Sequence, residues 1–382
     1  MNAIRDQRSF QAAAPRRRVL FVINSLAGGG AERVMATLLN NSKDWLDAHE
    51  IALAVLDEGP RAFALPDWLT IFQLDCRGGL AASITGLRRV VRDYRPDVTI
   101  SFLTRANLAN GVVMMNRRRP WIISERTSTP AHLGSRSKQL ATKLMMRAIY
   151  PRASRVIAVS AGVADKLEHG FGVPPGKVEV LPNPVDIDAL HASASARDEL
   201  QLDEPYIVAV GRMVSVKNYR MLIHAFAQAK LPCRLVIAGD GPERDALKSL
   251  AGDLGIAERV VMPGWLSNPY PVLSRASVFA LSSKVEGFPN ALVEALALGV
   301  PVVATNCHDG PAEILARRRV DEVAGVTVVD AGILTPVDDA ASYAQALQLA
   351  FEESRRKHMI AAGRERALDY SAAAITQRYW SV

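Results

Sequence analysis

Two glutamates, Glu286 and Glu294, stand eight residues apart in the run from Ser283 to Glu294, the first in a loop and the second inside the helix that follows. Leu292, Val293, Leu296 and Ala297 form the apolar side of that helix, which leaves Glu294 near its start and on the ligand side. Ionised carboxylates are strong acceptors for hydroxyl groups. The free backbone N–H groups from Phe288 to Ala291 suit a phosphate, because the first turn of a helix leaves its donors unpaired; Pro289 alone brings none. Taken by themselves, two glutamates here would read as helix-start charges favoured by the dipole.

A cationic pair comes from another segment, Gly211-Arg212-Met213-Val214-Ser215-Val216-Lys217-Asn218, directly after the apolar run Tyr206–Val210. Arginine grips phosphate oxygens bidentately and lysine adds a point charge. Together they would stabilise the negative charge that grows on a departing diphosphate. Gly28-Gly29-Gly30, also after an apolar run, opens a helix and lets the backbone approach an anionic ligand. Its spacing is not G-x-G-x-x-G, and no acidic residue about 20 positions on closes the second strand, which disfavours a nicotinamide site. A tight strand-to-helix turn without a ligand is the plain alternative for this loop.

These segments need rigid elements to carry them. Short β-branched runs, Val19–Ile23, Ile51–Val55, Val98–Phe102, Trp121–Ser124 and Val156–Val159, alternate with helical patterns in the first half. Ile84, Leu87, Val91 and Tyr94 share one face of such a helix, which should stop before Arg95-Pro96. The second half restarts the pattern with Tyr206–Val210, Arg234–Ala238, Val260–Met262, Val278–Leu281, Pro301–Ala304 and Gly332–Leu334. The chain is therefore predicted to be α/β, with two doubly wound units facing a cleft.

The expected division is a basic tail over 1–18, a first domain over 19–186, a second over 187–365 and a final helix over 366–382 that crosses back to the first domain. The break falls at Leu181-Pro182-Asn183-Pro184-Val185-Asp186, and His191 to Asp198 is expected as a connecting Ala/Ser-rich stretch. A chain of 382 residues is long enough for two cores.

Net charge is +7, but unevenly spread. There are 26 Lys and Arg against 17 Asp and Glu up to Leu190, or +9, and 20 against 22 beyond it, or −2. A basic first half suits an anionic partner such as a membrane face, a lipid diphosphate or nucleic acid. Basic residues such as Arg136, Lys138, Lys143 and Arg147 interleave with Leu140, Leu144 and Met145, a surface that fits either an anionic membrane or the helix's own domain. No apolar run reaches the roughly 18 residues of a membrane span, and Cys76, Cys233 and Cys307 are too scattered for a metal site. A cytoplasmic location is expected, with peripheral contact at the inner membrane face.

Glu286 to Glu294 forms an E-x7-E motif. With Gly211-Arg212 and Lys217, Gly239-Asp240-Gly241-Pro242 and Met262-Pro263-Gly264-Trp265, it resembles glycosyltransferase family 4. The order and spacing match, and the segments 180–186 and 28–33 are similar to that family's interdomain segment and N-terminal loop. The resemblance covers essentially the whole chain and implies a GT-B fold, two Rossmann-like domains, and a retaining transfer from a nucleotide diphosphate sugar to a glycan or lipid-linked glycan.

It further implies no metal and no other cofactor, Arg212 and Lys217 replacing a divalent ion at the diphosphate. Catalytic roles fall to Arg212, Lys217 and Glu286, with Glu286 on the transferred sugar and Glu294 on the ribose. Donor binding is implied for Gly28, Gly29, Gly30, Gly211, Asp240, Pro263, Trp265, Phe288, Pro289, Asn290, Ala291 and Leu292. Many members have glycine where this chain has Pro289. Cys307-His308-Asp309-Gly310-Pro311-Ala312-Glu313-Ile314-Leu315 resembles a segment of members using UDP-sugars on lipid-linked or surface glycans.

No histidine is evident at the family's acceptor position. Glu125 or Arg126, at the end of a first-domain strand, is the expected acceptor contact, with a structural ion pair as the alternative; His132 is the poorer candidate. A nucleotide-sugar 2-epimerase shares the architecture but needs a cleft histidine cluster that the chain lacks. A nucleic-acid-binding protein would explain the basic half but not the second-half motifs, so no nucleic-acid partner is expected.

Overall fold

The computed structural model describes residues 16–126, 136–198, 200–202 and 204–382. Seven parallel strands build the first sheet: β1 Arg17–Ile23, β2 His49–Val55, β3 Thr70–Gln73, β4 Val98–Phe102, β5 Trp121–Glu125, β6 Arg155–Ala158 and β7 Val178–Val180. Their spatial order is β3-β2-β1-β4-β5-β6-β7. Five helices connect them: α1 Gly30–Asn40, α2 Leu80–Tyr94, α3 Thr104–Met114, α4 Arg136–Ile149 and α5 Ala161–Asp165. Strand order reverses between β1 and β4, the switch point at which α/β sheets open a crevice.

The second sheet repeats the plan with β8 Tyr206–Val210, β9 Arg234–Ala238, β10 Val260–Gly264, β11 Val278–Leu281, β12 Val302–Thr305, β13 Thr327–Val329 and β14 Gly332–Thr335. The order is β10-β9-β8-β11-β12-β14-β13, with the switch between β8 and β11 and only β13 antiparallel. The helices of this half are α6 Ile187–Ala194, α7 Tyr219–Ala229, α8 Arg244–Asp253, α9 Tyr270–Ser274, α10 Asn290–Ala297, α11 Pro311–Ala316, α12 Ala340–Ala350, α13 Glu353–Leu368 and α14 Ala372–Ser381.

Each sheet is buried on both faces, which is why its strands read as continuous apolar runs. In β1, Leu20 and Val22 enter one core layer while Val19, Phe21 and Ile23 enter the other. In β8, Tyr206 and Val208 face one layer, and Ile207 and Ala209 the opposite one.

Three strands had no forecast: β3, β7 and β13 have three or four residues each, lie at or beside sheet edges and are only partly buried. The first half of the stretch expected to be a connector, His191 to Ala194, belongs to a helix instead. α6 starts at the side-chain cap of Asp186, whose carboxylate accepts from the Ala189 N–H at 3.0 Å, and buries Leu190 in the second core. α2 extends back to Leu80 and ends where Arg95 takes a left-handed conformation (φ 54°) before Pro96.

The polypeptide crosses between the halves twice, and the crossings lie side by side. Val185 N–H donates to Tyr370 O at 2.8 Å and Ala372 N–H to Val185 O at 2.8 Å. Beyond the second crossing, α14 sets Ile375 and Tyr379 into the first-half core. Trp380 stacks on Trp45 at 5.7 Å and donates to the Ser42 hydroxyl at 3.0 Å.

α4 buries Met146 and Ile149 in its own half and turns Leu140 and Leu144 to solvent at 61% and 56% exposure. Among the described residues, no helix is long and apolar enough to cross a membrane. All three cysteines are buried free thiols. His132 and Thr127 lie outside the described residues, as does most of the basic tail.

Candidate active site

Elements that follow β11 and β12 meet elements that follow β1 and β6 across the crevice, Arg33 reaching Glu294 and Glu313 reaching Ala161 and Gly162. After β8, Gly211 and the turn Ser215–Lys217 bring up the cations. Lys217 Nζ lies 2.6 Å from Glu286 Oε1, and the Ser283 hydroxyl also donates to that oxygen. The Lys217 carbonyl is held in turn by the Ser282 hydroxyl at 2.7 Å. The Glu286 side chain is 10% exposed, so a largely dry carboxylate is matched by one half-buried cation.

Arg212 is exposed, and its side chain has no hydrogen-bond or ion-pair partner among the described residues. Its guanidinium therefore has all its donors for a ligand anion. The β9 loop packs directly against this turn. Gly239 has φ 144°, and a Cβ there would overlap the Gly211 carbonyl oxygen, so only glycine fits.

Glu294 sits in the second turn of α10, 6% exposed, and its partner comes from the first half. Arg33, on the opening turn of α1, pairs with the Glu294 carboxylate and donates to the Tyr270 hydroxyl at 2.7 Å. The Glu294 charge raises the Arg33 guanidinium pKa further, against the opposing effect of burial. Tyr270 titrates well above a free phenol, first from burial and then from the Glu294 charge. These residues line a cavity of about 230 Å³ together with Phe63 and Pro184.

Gly28, with φ 108°, makes the turn out of β1, and Gly30 lies against α10 so closely that a Cβ would come within 3.0 Å of Asn290 Nδ2. Asn290 Oδ1 accepts from Asn183 Nδ2 at 2.6 Å. The glycine loop, the interdomain segment and the start of α10 thus form one junction.

The remaining expected donor residues divide by burial. Trp265 is 71% exposed just beyond β10, a free aromatic face at the crevice end where Asp240 is also exposed and Pro263 half-buried. Asp240 caps its own turn by accepting from Gly241 N–H at 2.8 Å and stands 3.6 Å from Arg244. Phe288 packs edge-on against Tyr370 at 5.5 Å, Pro289 is buried, and Leu292 is fully enclosed in the core. Of this run, the backbone around Asn290 and Ala291 remains for an anion at the α10 start.

Glu125 and Arg126 are turned inward, not toward an acceptor. Glu125 is 3% exposed and accepts from the Tyr150 hydroxyl at 2.8 Å and the Thr104 hydroxyl at 3.3 Å. Arg126 bonds Asn183 and the Tyr379 hydroxyl while lying 4.4 Å over the Phe102 ring. Burial lowers its pKa, the Tyr379 and Glu125 interactions offsetting part of that. Arg126 ties β5 to the first crossing and to α14.

Several functional-looking groups had no place in the expectation. Arg33 falls in the quoted N-terminal loop, but its partners are far along the chain, and only its position on the first turn of α1 marked it. On the other flank, Lys166 pairs with Asp309, and Arg319 with Asp165. Glu313 accepts from the Ala161 and Gly162 N–H groups at 2.9 and 3.3 Å, so a second-half carboxylate caps a first-half helix. Among the described residues, Asp165, Glu168 and His169 form the one group with metal-ligand proximity, and Asp165 already pairs with Arg319.

Comparisons with known proteins agree with this fold. Residues 28–189 match the model described as Glycosyltransferase Family 4, and residues 193–366 the model described as Glycosyl transferases group 1. The chain is 28% identical over 345 residues to an N-acetylgalactosamine-N,N'-diacetylbacillosaminyl-diphospho-undecaprenol 4-alpha-N-acetylgalactosaminyltransferase of Campylobacter jejuni, covering 87% of this chain and 90% of that protein. It is 27% identical to a lipopolysaccharide core biosynthesis glycosyltransferase of Rhizobium meliloti, over 77% of each. The fold matches that of Anabaena HepE in complex with UDP, with a TM-score of 0.75 and 19% identity over 95% of this chain and 98% of that one.

Proposed function

The chain belongs to the family 4, group 1 glycosyltransferases, enzymes of the GT-B fold, and from that membership we propose a retaining, metal-independent transfer from a UDP-sugar to a lipid-linked or surface glycan. The observation that carries this reading is the pairing of Lys217 with Glu286 beside an unpartnered Arg212, all at strand ends facing the start of α10.

In this reading Arg212, Lys217 and the N–H groups opening α10 surround the donor diphosphate and stabilise its charge as it departs. Glu286 accepts from hydroxyls of the transferred sugar, and Glu294 from the ribose. Trp265 and Pro263 flank the base. The acceptor hydroxyl oxygen forms a bond to the anomeric carbon on the face the diphosphate leaves, the bond from that carbon to the phosphate oxygen breaks, and the hydroxyl proton passes to the leaving diphosphate. The two cations do the charge neutralisation that a divalent ion would otherwise supply.

The donor assignment draws on solved relatives of this fold that carry UDP, including one described with UDP and glucose. The acceptor assignment draws on relatives named for diphospho-undecaprenol glycans and for lipopolysaccharide. Such acceptors lie at a membrane, and the exposed Leu140 and Leu144 beside Lys143 and Arg147 on α4 give the first domain a face for peripheral contact with an anionic cytoplasmic leaflet.

The test is a donor screen with UDP-, GDP- and ADP-sugars, following nucleotide diphosphate release with and without EDTA and polyprenyl-diphosphate glycans. Release from one UDP-sugar that persists in EDTA and is lost in Glu286→Ala is the expected outcome. A strict requirement for a divalent ion would overturn the metal-independent clamp.

A further inference from the structure

Seven of the chain's eight tyrosines place their hydroxyls in hydrogen bonds, and the eighth, Tyr219, does not. Tyr206 and Tyr343 donate to the carbonyls of Val272 and Val303 at 2.6 and 2.9 Å, while Tyr270, Tyr370 and Tyr379 accept from arginines. The Tyr219 hydroxyl has no partner among the described residues, although the residue is only 3% exposed. A buried tyrosine hydroxyl ordinarily finds one, because leaving it unpaired costs the desolvation of that group.

Packing explains the ring but not the oxygen. Tyr219 opens α7, and its ring joins Ile207, Met213, Leu222 and Phe226 in one core layer of the second half. Phenylalanine would fill that place as well. The oxygen lies against the cation loop instead: a Cβ on Gly211 would come within 3.0 Å of the Tyr219 hydroxyl and 3.5 Å of Lys217 Cε. The hydroxyl and the lysine stem thus share the space that a side chain at 211 would need.

The segment that holds the hydroxyl is fixed. Asn218, left-handed at φ 55°, donates to Asp338 Oδ1 at 2.8 Å, and Lys284 N–H donates to the Val216 carbonyl at 2.8 Å. The oxygen is therefore in place beside Lys217 before any ligand arrives.

Its chemistry narrows what the missing partner can be. Burial, and then the Glu286 charge, push the phenol above its ordinary value, so at neutral pH it keeps a proton to donate. Glu286 Oε1 already accepts from Lys217 and from the Ser283 hydroxyl. An anionic oxygen brought up to Lys217 supplies the absent acceptor, and hydrogen bonds to ionised groups are the strong ones.

We propose that the Tyr219 hydroxyl donates to an oxygen of the donor diphosphate, a third donor beside Arg212 and Lys217, an assignment that rests on the transferase reading above. The free protein then carries an unpaired hydroxyl that the bound diphosphate satisfies.

Tyr219→Phe is the test, since it removes one oxygen and keeps the ring. UDP, GDP and ADP are titrated calorimetrically into the unaltered enzyme, and the one it binds most tightly is titrated into the variant. Ligand-free melting temperatures are compared, as is kcat/KM with the sugar donor of that diphosphate. The expected variant melts at or above the parent when free, binds the diphosphate about tenfold or more weakly and loses at least as much in kcat/KM. A merely structural hydroxyl would not move stability and affinity in opposite directions. Affinity and kcat/KM within about twofold of the parent overturn the proposal. So does a free variant that melts several degrees lower, which would reveal a partner inside the free protein. If the unaltered enzyme binds none of the three diphosphates, the transferase reading itself fails, and this inference with it.

Discussion

Arg33 and Glu294, 261 residues apart in sequence, form an ion pair across the crevice. The carboxylate expected to hold the donor ribose is thereby oriented by the opposite half, with Tyr270 as the shared neighbour. Occupancy of the nucleoside end and approach of the two halves are thus linked through one side chain.

Arg33→Ala should raise the donor KM about tenfold with a smaller change in kcat. A hydrogen bond to a charged group contributes about 1.5–3 kcal/mol, and the one-third exposure of Arg33 argues for the low end. Arg33→Lys should recover part of the loss, since it keeps the charge but not the planar guanidinium whose Nη1 reaches both Glu294 and Tyr270. Steady-state kinetics with varied donor checks both; equal donor KM in the alanine variant and the parent would refute the link.

Arg212→Ala and Lys217→Ala should separate by stability. Each is expected to lower kcat by roughly 10²–10³, the cost typical of removing one preorganised donor from a developing anion. Only Lys217→Ala should also lower the melting temperature, because it strips the partner from the enclosed Glu286, whereas Arg212 has no partner to lose. Parallel kinetic and thermal-shift measurements read the contrast.

Glu313 supplies a pH signature. Desolvation raises its pKa, only partly offset by the Ala161 and Gly162 N–H donors, so the folded state favours the protonated acid more than the unfolded chain does. Its contribution is then fully present below the unfolded-state value, near 4.3, and is lost as pH rises through the raised folded value. Glu313→Gln keeps an acceptor for the same N–H groups without the charge. Its urea midpoint relative to the parent should improve steadily from pH 4 to pH 7, and a pH-independent difference would contradict this.

Tyr379→Phe removes the hydroxyl that bonds Arg126, a residue only 8% exposed. A loss of about 1.5–3 kcal/mol in unfolding free energy is expected from a buried charged donor left short of a partner. Urea denaturation measures it. Donor KM should stay near that of the parent, since neither residue faces the donor end.

How much of this was legible follows from where each interaction lies along the chain. Continuous apolar runs such as Val19–Ile23 and Val278–Leu281 announced central strands because both faces of each sheet are covered. β3 and β13 escaped because a short strand at an edge, half exposed, has no such run. The local motifs placed Lys217 and Glu286 near the same strand ends, but their 2.6 Å contact joins two loops and appears in neither alone. Glu125 and Arg126 were expected either at the acceptor or in a structural ion pair, and their burial follows the inward alternative. Whether a side chain leaving β5 turns toward the crevice depends on Tyr150, Asn183 and Tyr379, which arrive from later in the chain.

The return of α14 to the first half also sets an order of events during synthesis. Ile375 and Tyr379 complete a core whose first strand is made some 350 residues earlier. While the ribosome is still producing the second half, the first has a gap where that helix belongs, and Phe21 and Phe102 border the gap. Domains generally fold as units as they emerge. Here the leading domain must wait for α14, so a transcript truncated before that helix would leave an exposed apolar seam on the half that was made first.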